Sequence, residues 1–132
     1  LGPHKVYELY GATEAMGYTV IRGDEWLAVP KQNGLNCVGR PAAGHIKIVD
    51  PETHQPVPPG TMGEVWMRHH EQRVTYTYRG AVTKPDEDGW ETCGDMGLVD
   101  EQGYCHLGDR KQDMVLVGGA NVYPAEVEAV LE

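Results

Sequence analysis

The stretch DRKQDMVLVGGANVYPAEVEAVLE (residues 109–132) differs in pattern from the hundred residues before it. A charged cluster leads into the apolar run VLV, then two glycines, then a helix-like segment. Pro124 suits the first position of a helix, and the carboxylates of Glu126 and Glu128 suit its positive end. The order strand, glycine turn and helix predicts the start of a small α+β domain.

The preceding part of the chain predicts short strands between turns. HIKIVD (45–50) and GEVWMR (63–68) have apolar residues alternating or clustered over strand length. The connection DPETHQPVPPG (50–60) contains too much proline for a helix or a central strand. DEDGW (86–90) and DEQGY (100–104) combine an initial Asp with the Gly that a hairpin loop requires. We therefore predict a mostly β fold with some α, beginning with a distorted antiparallel β-barrel or strongly bent sheet.

Composition narrows the class of protein. The 132 residues carry a formal net charge of -9, which repels nucleic acid backbones and anionic membranes, so neither is an expected partner. The chain has no Phe, so we expect a core of Val, Leu, Ile, Tyr and Trp. No apolar run approaches the roughly 20 residues of a membrane span. Three widely spaced cysteines without a CxxC pair predict reduced thiols in a cytoplasmic protein.

The segment YGATE (10–14) combines groups that suit a nucleotide. The ring of Tyr10 can lie against a purine, and Gly11 allows a ligand to approach the backbone. The Thr13 hydroxyl can bond a phosphate oxygen, and Glu14 offers the hard oxygen that Mg²⁺ prefers. The alternative is a plain strand-to-turn segment with a surface glutamate.

Asp95 and Arg110 lie on either side of a predicted hairpin. A carboxylate that accepts from vicinal hydroxyls is a common way to hold a ribose, and a guanidinium donates several bonds in a fixed fork. The alternative is an ordinary surface ion pair, worth roughly 0–1 kcal/mol.

The paired glycines of VLVGGAN, Gly118 and Gly119, end a predicted strand. Their spacing does not match the GxGxxG dinucleotide fingerprint. A tight turn needs only one glycine, so the pair indicates that something thin passes close to the backbone. HHEQ (69–72) lacks the HExxH spacing of zinc proteases and is interpreted as a solvated loop.

Taken together, YGATE, GWETCGDMGLVDEQGY, DRKQDM and GGANVYPAEVE closely resemble the adenylate-forming superfamily. That superfamily comprises acyl-CoA synthetases, peptide-synthetase adenylation domains and luciferases. The motifs occur in the family order and cover residues 10–131. The resemblance implies that a carboxylic acid and ATP give acyl-AMP and pyrophosphate, after which a thiol captures the acyl group.

The resemblance assigns a role to each motif residue. Tyr10 borders the adenine, with Gly11 and Ala12 beside it in the nucleotide site. Thr13 contacts the phosphate, and Glu14 ligates Mg²⁺; these two are the expected catalytic residues. Asp95 and Arg110 hold the ribose hydroxyls.

The resemblance also implies a moving C-terminal domain. Gln112 occupies the hinge, where the family usually has Asp or Lys, so Asp113 is an alternative pivot. Gly118 and Gly119 line the pantetheine tunnel for coenzyme A. Other departures are Cys93, where the family usually has Thr or Ser, together with Ala12 and Ala43.

The expected domains are residues 1–108, the last β subdomain of the large adenylating domain; residues 109–113, the hinge; and residues 114–132, the start of the small domain. We expect the chain to be an inactive segment of a longer enzyme, because the phosphate loop and the catalytic lysine of the family lie outside it.

Within the superfamily, the chain looks most similar to bile-acid-CoA-ligase-like and fatty-acid-CoA-ligase-like enzymes, which use free coenzyme A. Two alternatives stay open: a peptide-synthetase adenylation domain, and a non-catalytic β-rich binding module. The resemblance also leaves room for a homo-oligomer of the parent enzyme.

Overall fold

The computed structural model describes residues 2–12, 17–32, 34–70, 88–110, 115–117, 120–122 and 124–131. Within them, β-strands dominate and confirm the predicted fold class. The strands are β1 (Tyr7–Gly11), β2 (Tyr18–Arg22), β3 (Asn36–Ala43), β4 (His45–Val49), β5 (Gly63–Arg68), β6 (Glu91–Val99), β7 (Cys105–Arg110), β8 (Val115–Val117) and β9 (Ala120–Val122). The α-helices are α1 (Gly23–Ala28) and α2 (Pro124–Leu131).

Seven strands form one antiparallel sheet in the order β1-β2-β3-β7-β6-β5-β4. The sheet is strongly bent. The bend brings Tyr10, at the end of β1, into contact with a core cluster of Ile48, Val65 and Met67, which lie on β4 and β5 near the opposite edge of the sheet. Among the described residues its hydrogen-bonded ladder stays open between β1 and β4. The prediction of a bent antiparallel sheet is therefore confirmed, in an unclosed form.

The core contains methionines that the composition did not single out. Met67 and Met96 are both 1% exposed, as deeply buried as Val65. Methionine is unbranched and adaptable, so it fills the irregular space inside a bent sheet. A second core cluster lies under α1 and contains Ile21, Val29 and Cys37.

Helix α1 was not predicted, because the sequence before residue 109 indicates short strands between turns. Asp24 and Glu25 lie in its first turn, where carboxylates stabilise the positive end of a helix. Trp26 packs against the second core cluster, and its indole Nε1 donates to the Cys37 carbonyl at 3.0 Å. Trp26 therefore contributes to the core, as expected of tryptophan in a chain without Phe.

The predicted hairpin loop between β6 and β7 is confirmed. The Asp100 carboxylate accepts from the backbone N–H groups of Gln102, at 2.9 Å, and Tyr104, at 3.0 Å. Gly103 has a φ of 88°, the left-handed conformation that glycine adopts without strain. An Asp at the start and a Gly near the end of the loop therefore have separate physical roles.

Strands β8 and β9 form a separate two-stranded antiparallel sheet, and α2 begins at Pro124 as predicted. Two short strands followed by a helix agree with the expected start of an α+β unit. The division into domains at residues 108–114 stays a prediction. No helix among the described residues is long and apolar enough to cross a membrane.

Candidate functional site

Three of the predicted nucleotide-binding side chains lie together. The Tyr10 hydroxyl donates to Asp95 Oδ2 at 2.7 Å, and Arg110 Nε lies 3.5 Å from Asp95 Oδ1. Tyr10 is on β1, Asp95 on β6 and Arg110 at the end of β7. Strands β2, β3 and β7 separate β1 from β6 in the sheet, so the bend is what brings Tyr10 to Asp95.

Asp95 and Arg110 are directly opposite each other in the ladder between β6 and β7. The side chain of Asp95 is 18% exposed, whereas that of Arg110 is 62% exposed. A long, mostly solvated ion pair of this kind contributes about 0–1 kcal/mol to stability. The pair therefore adds little to folding, while the guanidinium stays accessible to a ligand.

The contact between Tyr10 and Asp95 was not predicted. The sequence suggested a role for the tyrosine ring, and no pattern linked its hydroxyl to a carboxylate 85 positions away. Burial, together with the hydrogen bond to Asp95, raises the pKa of Tyr10 far above its usual 10.0. Tyr10 therefore remains a neutral donor at any physiological pH, and Asp95 is its acceptor.

A bulge in β6 positions Asp95. Trp66 of β5 pairs with Thr92 and Glu64 pairs with Met96, so three residues of β6 (93–95) oppose the single Val65. Inside the bulge, Gly94 has a φ of +80° and its N–H donates to Thr92 Oγ1 at 3.0 Å. Bulges re-aim side chains next to binding sites, and this one turns the chain just before Asp95.

Gly11 and Ala12 lie beside Tyr10 and have packing roles of their own. A Cβ on Gly11 would lie 3.0 Å from the Gly17 carbonyl oxygen and 3.0 Å from Tyr18 Cβ. Ala12 packs against the core cluster of Ile48, Val65 and Met67. Close strand contact is therefore sufficient reason for the small residue at position 11, and the nucleotide contacts of both residues stay predictions.

The other predicted site residues lie outside the described residues. They are Thr13, Glu14, Gln112, Gly118 and Gly119. In the part of the chain that the structure describes, no group of three or more His, Cys, Asp or Glu side chains could hold a metal ion. The predicted magnesium ligand, Glu14, is among the residues that the structure does not describe.

A buried His–Asp pair lies on the hairpin that leads to Arg110. His106 Nε2 is 2.9 Å from Asp100 Oδ2, and the histidine side chain is 1% exposed. Burial acts to raise the pKa of Asp100, but hydrogen bonds from His106 and from the N–H groups of Tyr104 and Gln102 outweigh it and hold the pKa below its usual 3.8. This pair was not predicted, although Asp100 and His106 flank a recognisable hairpin loop.

The three cysteines form no disulfide and lie in different environments. Cys37 and Cys105 are buried, and Cys93 in the β6 bulge is exposed. Burial raises the pKa of Cys105 to about 12, so this thiol stays protonated and unreactive. Cys93 is the thiol within reach of the solvent beside Asp95.

Comparison with known proteins identifies the family to which this chain belongs. The chain is 40% identical over 129 residues to the fatty acid–[acyl-carrier-protein] ligase ScoC of Streptomyces coeruleorubidus, covering 95% of this chain and 24% of ScoC. It is 37% identical over 128 residues to the 2-succinylbenzoate–CoA ligase of Bacillus pumilus, covering 96% of this chain and 25% of that ligase. The chain thus spans about a quarter of the length of the curated relatives it matches.

A solved structure of a ligase is also similar to this chain. The o-succinylbenzoate coenzyme A synthetase (MenE) of Bacillus subtilis, in complex with ATP and magnesium ion, superposes with a TM-score of 0.72 at 28% identity. The match covers 95% of this chain and 26% of that one. A family model described as AMP-binding enzyme matches residues 1–78, more than half of the chain. The chain belongs to the AMP-binding enzyme family.

Proposed function

We propose that this chain is a segment of an AMP-forming acyl-CoA synthetase. The whole enzyme would join a carboxylic acid to ATP, giving acyl-AMP and pyrophosphate, and then transfer the acyl group to coenzyme A. The observation that carries the proposal is the convergence of Tyr10, Asp95 and Arg110 from three strands of a chain in the AMP-binding family.

The described residues of the site suit a ribose. The Asp95 carboxylate is partly buried and lies at the edge of the site, where it can accept from vicinal hydroxyls. The exposed Arg110 guanidinium can donate to the sugar or to a phosphate oxygen. The ring of Tyr10, with its hydroxyl fixed on Asp95, would border the adenine.

The remaining parts of the nucleotide site are assigned by the motif alone. Thr13 would contact the phosphate, and Glu14 would supply a hard oxygen to Mg²⁺. When bound, the metal would offset the charge of the phosphate oxygens. Gly11 and Ala12 would let the nucleotide approach the end of β1. ATP and magnesium are bound by the B. subtilis synthetase, which supports this assignment.

The second half-reaction would use the residues after β7. Gln112 would be the hinge of the small domain, and Gly118 and Gly119 would leave room for the slender pantetheine arm. Substitution of either glycine should impair thioester formation more than adenylation. Equal losses in the two half-reactions would count against the tunnel.

A carrier protein is the second candidate for the acceptor. It is favoured by the 40% identity to a fatty acid–[acyl-carrier-protein] ligase, while other relatives are CoA ligases. The full-length enzyme should be assayed for AMP release with free coenzyme A and with a phosphopantetheinylated carrier at equal concentrations. Faster AMP release with the carrier would show that the carrier protein, and not coenzyme A, is the acceptor.

The site assignment is tested in the full-length enzyme by pyrophosphate exchange. Asp95→Ala removes at least one charge-assisted hydrogen bond of about 1.5–3 kcal/mol, which is roughly a 10-fold to 150-fold loss in kcat/KM for ATP. Glu101→Ala, an exposed carboxylate in the hairpin loop after β6, is the matched control and should leave kcat/KM unchanged. An Asp95→Ala enzyme with normal kcat/KM would refute the ribose role.

The isolated 132-residue chain is expected to be inactive, and pyrophosphate exchange by the chain itself would contradict that. Titration with millimolar ATP tests the alternative of a non-catalytic β-rich module: backbone shifts confined to residues 10–14, Asp95 and Arg110 support the nucleotide site.

We place the enzyme in the cytoplasm, where three cysteine thiols stay reduced. A homo-oligomer of the parent enzyme is tested by its sedimentation.

A further inference from the structure

We infer that the Tyr10 hydroxyl is a positioning group for ribose recognition, in addition to the part played by its ring. It holds the Asp95 carboxylate in the orientation that receives the two sugar hydroxyls. This inference rests on the proposed function, because it assumes that Asp95 binds the ribose. It adds a residue from β1 to the recognition of the sugar, which the motifs assign to β6 and β7 alone.

The acceptor positions of Asp95 match a cis-diol. An ionised carboxylate has about four lone-pair positions, two on each oxygen. Within the described part of the chain, Tyr10 occupies one position on Oδ2, and Arg110 faces Oδ1. One acceptor position then remains on each oxygen, and two adjacent hydroxyls present one donor to each.

Tyr10 is better placed than Arg110 to fix the carboxylate. The tyrosine ring packs against the core cluster of Ile48, Val65 and Met67, so its hydroxyl has little freedom to move. Its hydrogen bond to Asp95 is 2.7 Å long. Arg110 has a longer side chain that is 62% exposed, and its Nε is 3.5 Å from the carboxylate. A rigid donor at short range determines the orientation of its acceptor more firmly than a flexible donor at long range.

Asp95 needs a contact of this kind because the backbone around it is irregular. It follows Gly94 in a bulge, where the pairing of β6 with β5 is interrupted directly before Met96. The Tyr10 hydroxyl, from the far side of the bent sheet, supplies the constraint.

The test uses the full-length enzyme with Tyr10→Phe, which keeps the ring and removes the hydroxyl. We expect the KM for ATP to rise about tenfold, the effect of one lost charge-assisted hydrogen bond, while kcat changes less than about twofold. With 2′-deoxy-ATP the rise should be smaller, because one of the hydroxyls that Asp95 receives is then absent. Tyr104→Phe is the matched control: its hydroxyl donates at 2.7 Å to Glu25, away from Asp95, and the KM should not change.

Two outcomes would overturn the inference. The first is an unchanged KM for ATP in Tyr10→Phe. The second is an equal rise in KM for ATP and 2′-deoxy-ATP, which would show that the substitution acts through the ring or the fold.

A double variant, Tyr10→Phe with Asp95→Ala, adds a second measurement. It should lose no more than Asp95→Ala alone, and additive losses would also refute the inference. If Asp95→Ala itself has no effect, the proposed ribose site fails. If only Asp95→Ala raises the KM, the ribose site stands and the positioning role fails.

Discussion

The imidazole of His106 and the carboxylate of Asp100 are joined by a 2.9 Å contact inside the sheet, at the two ends of one hairpin loop. The same carboxylate caps the loop through two backbone N–H groups. One acidic group thus connects the buried face of β7 with the turn that precedes it. Since β7 ends at Arg110, this pair also supports the strand that carries the candidate site.

Asp100 should make stability depend on acidity. Its pKa is lowered in the folded chain, so its contribution is fully present above the ordinary value of 3.8 and is lost as the pH falls through the lower, folded pKa. Asp100→Asn should therefore lower the Tm at pH 7. The difference in Tm from the wild type should shrink as the pH falls below the ordinary pKa of 3.8.

Thermal unfolding of the full-length enzyme at pH 7 and at acid pH measures this effect. Glu101→Gln, which changes the neighbouring exposed carboxylate, is the matched control. A constant difference in Tm across the whole pH range would show that Asp100 acts by packing alone.

Gly94 should be required for ATP use as well as for stability. Its φ of +80° costs an L residue about 1–2 kcal/mol, although space for a methyl group is open. Gly94→Ala should therefore lower the Tm and raise the KM for ATP, because relaxation of the bulge moves Asp95. Calorimetry and pyrophosphate exchange on the same preparation measure both.

Gly60 offers a matched control for that substitution. It has a φ of +83°, an equally open Cβ position, and a place in the turn before β5. Gly60→Ala should lower the Tm by a similar amount and leave the KM for ATP unchanged. A rise in KM in both variants would mean that general destabilisation, not the bulge, controls ATP use.

The cysteines should differ in reactivity. Iodoacetamide at pH 8 should alkylate Cys93, which is exposed, and spare Cys105, whose pKa of about 12 and burial keep it protonated and covered. Peptide mass spectrometry after brief labelling distinguishes the sites. Labelling of Cys105 at the rate of Cys93 would show that β7 is not buried as described.

Met67 should be among the most costly core residues to truncate. It is 1% exposed and belongs to the cluster under Tyr10, so Met67→Ala should destabilise the fold by about 2–5 kcal/mol. Leu27→Ala, on a side chain that is 65% exposed, should change stability by no more than about 0.5 kcal/mol. Urea unfolding followed by tryptophan fluorescence compares the two variants.

Local features of the fold could be predicted from the sequence, and distant contacts could not. The loop at Asp100 and the start of α2 at Pro124 follow from side-chain chemistry within a few residues. The bond between Tyr10 and Asp95 depends on the bend of a seven-stranded sheet, which no short segment specifies. The β6 bulge likewise appears only when β5 is aligned beside it. The family motifs predicted the residues of the candidate site, but the structure was needed to show which groups contact Asp95.

The open ladder has a consequence for handling the chain by itself. In the part of the chain that the structure describes, strand β1 lies at one end of the sheet, and its exposed side chains include Tyr7 and Leu9, which are 57% and 64% exposed. An apolar strand at a free border is a template on which another copy can add by backbone pairing. At high concentration the short chain should therefore self-associate through β1, and the substitution Leu9→Lys should prevent this association.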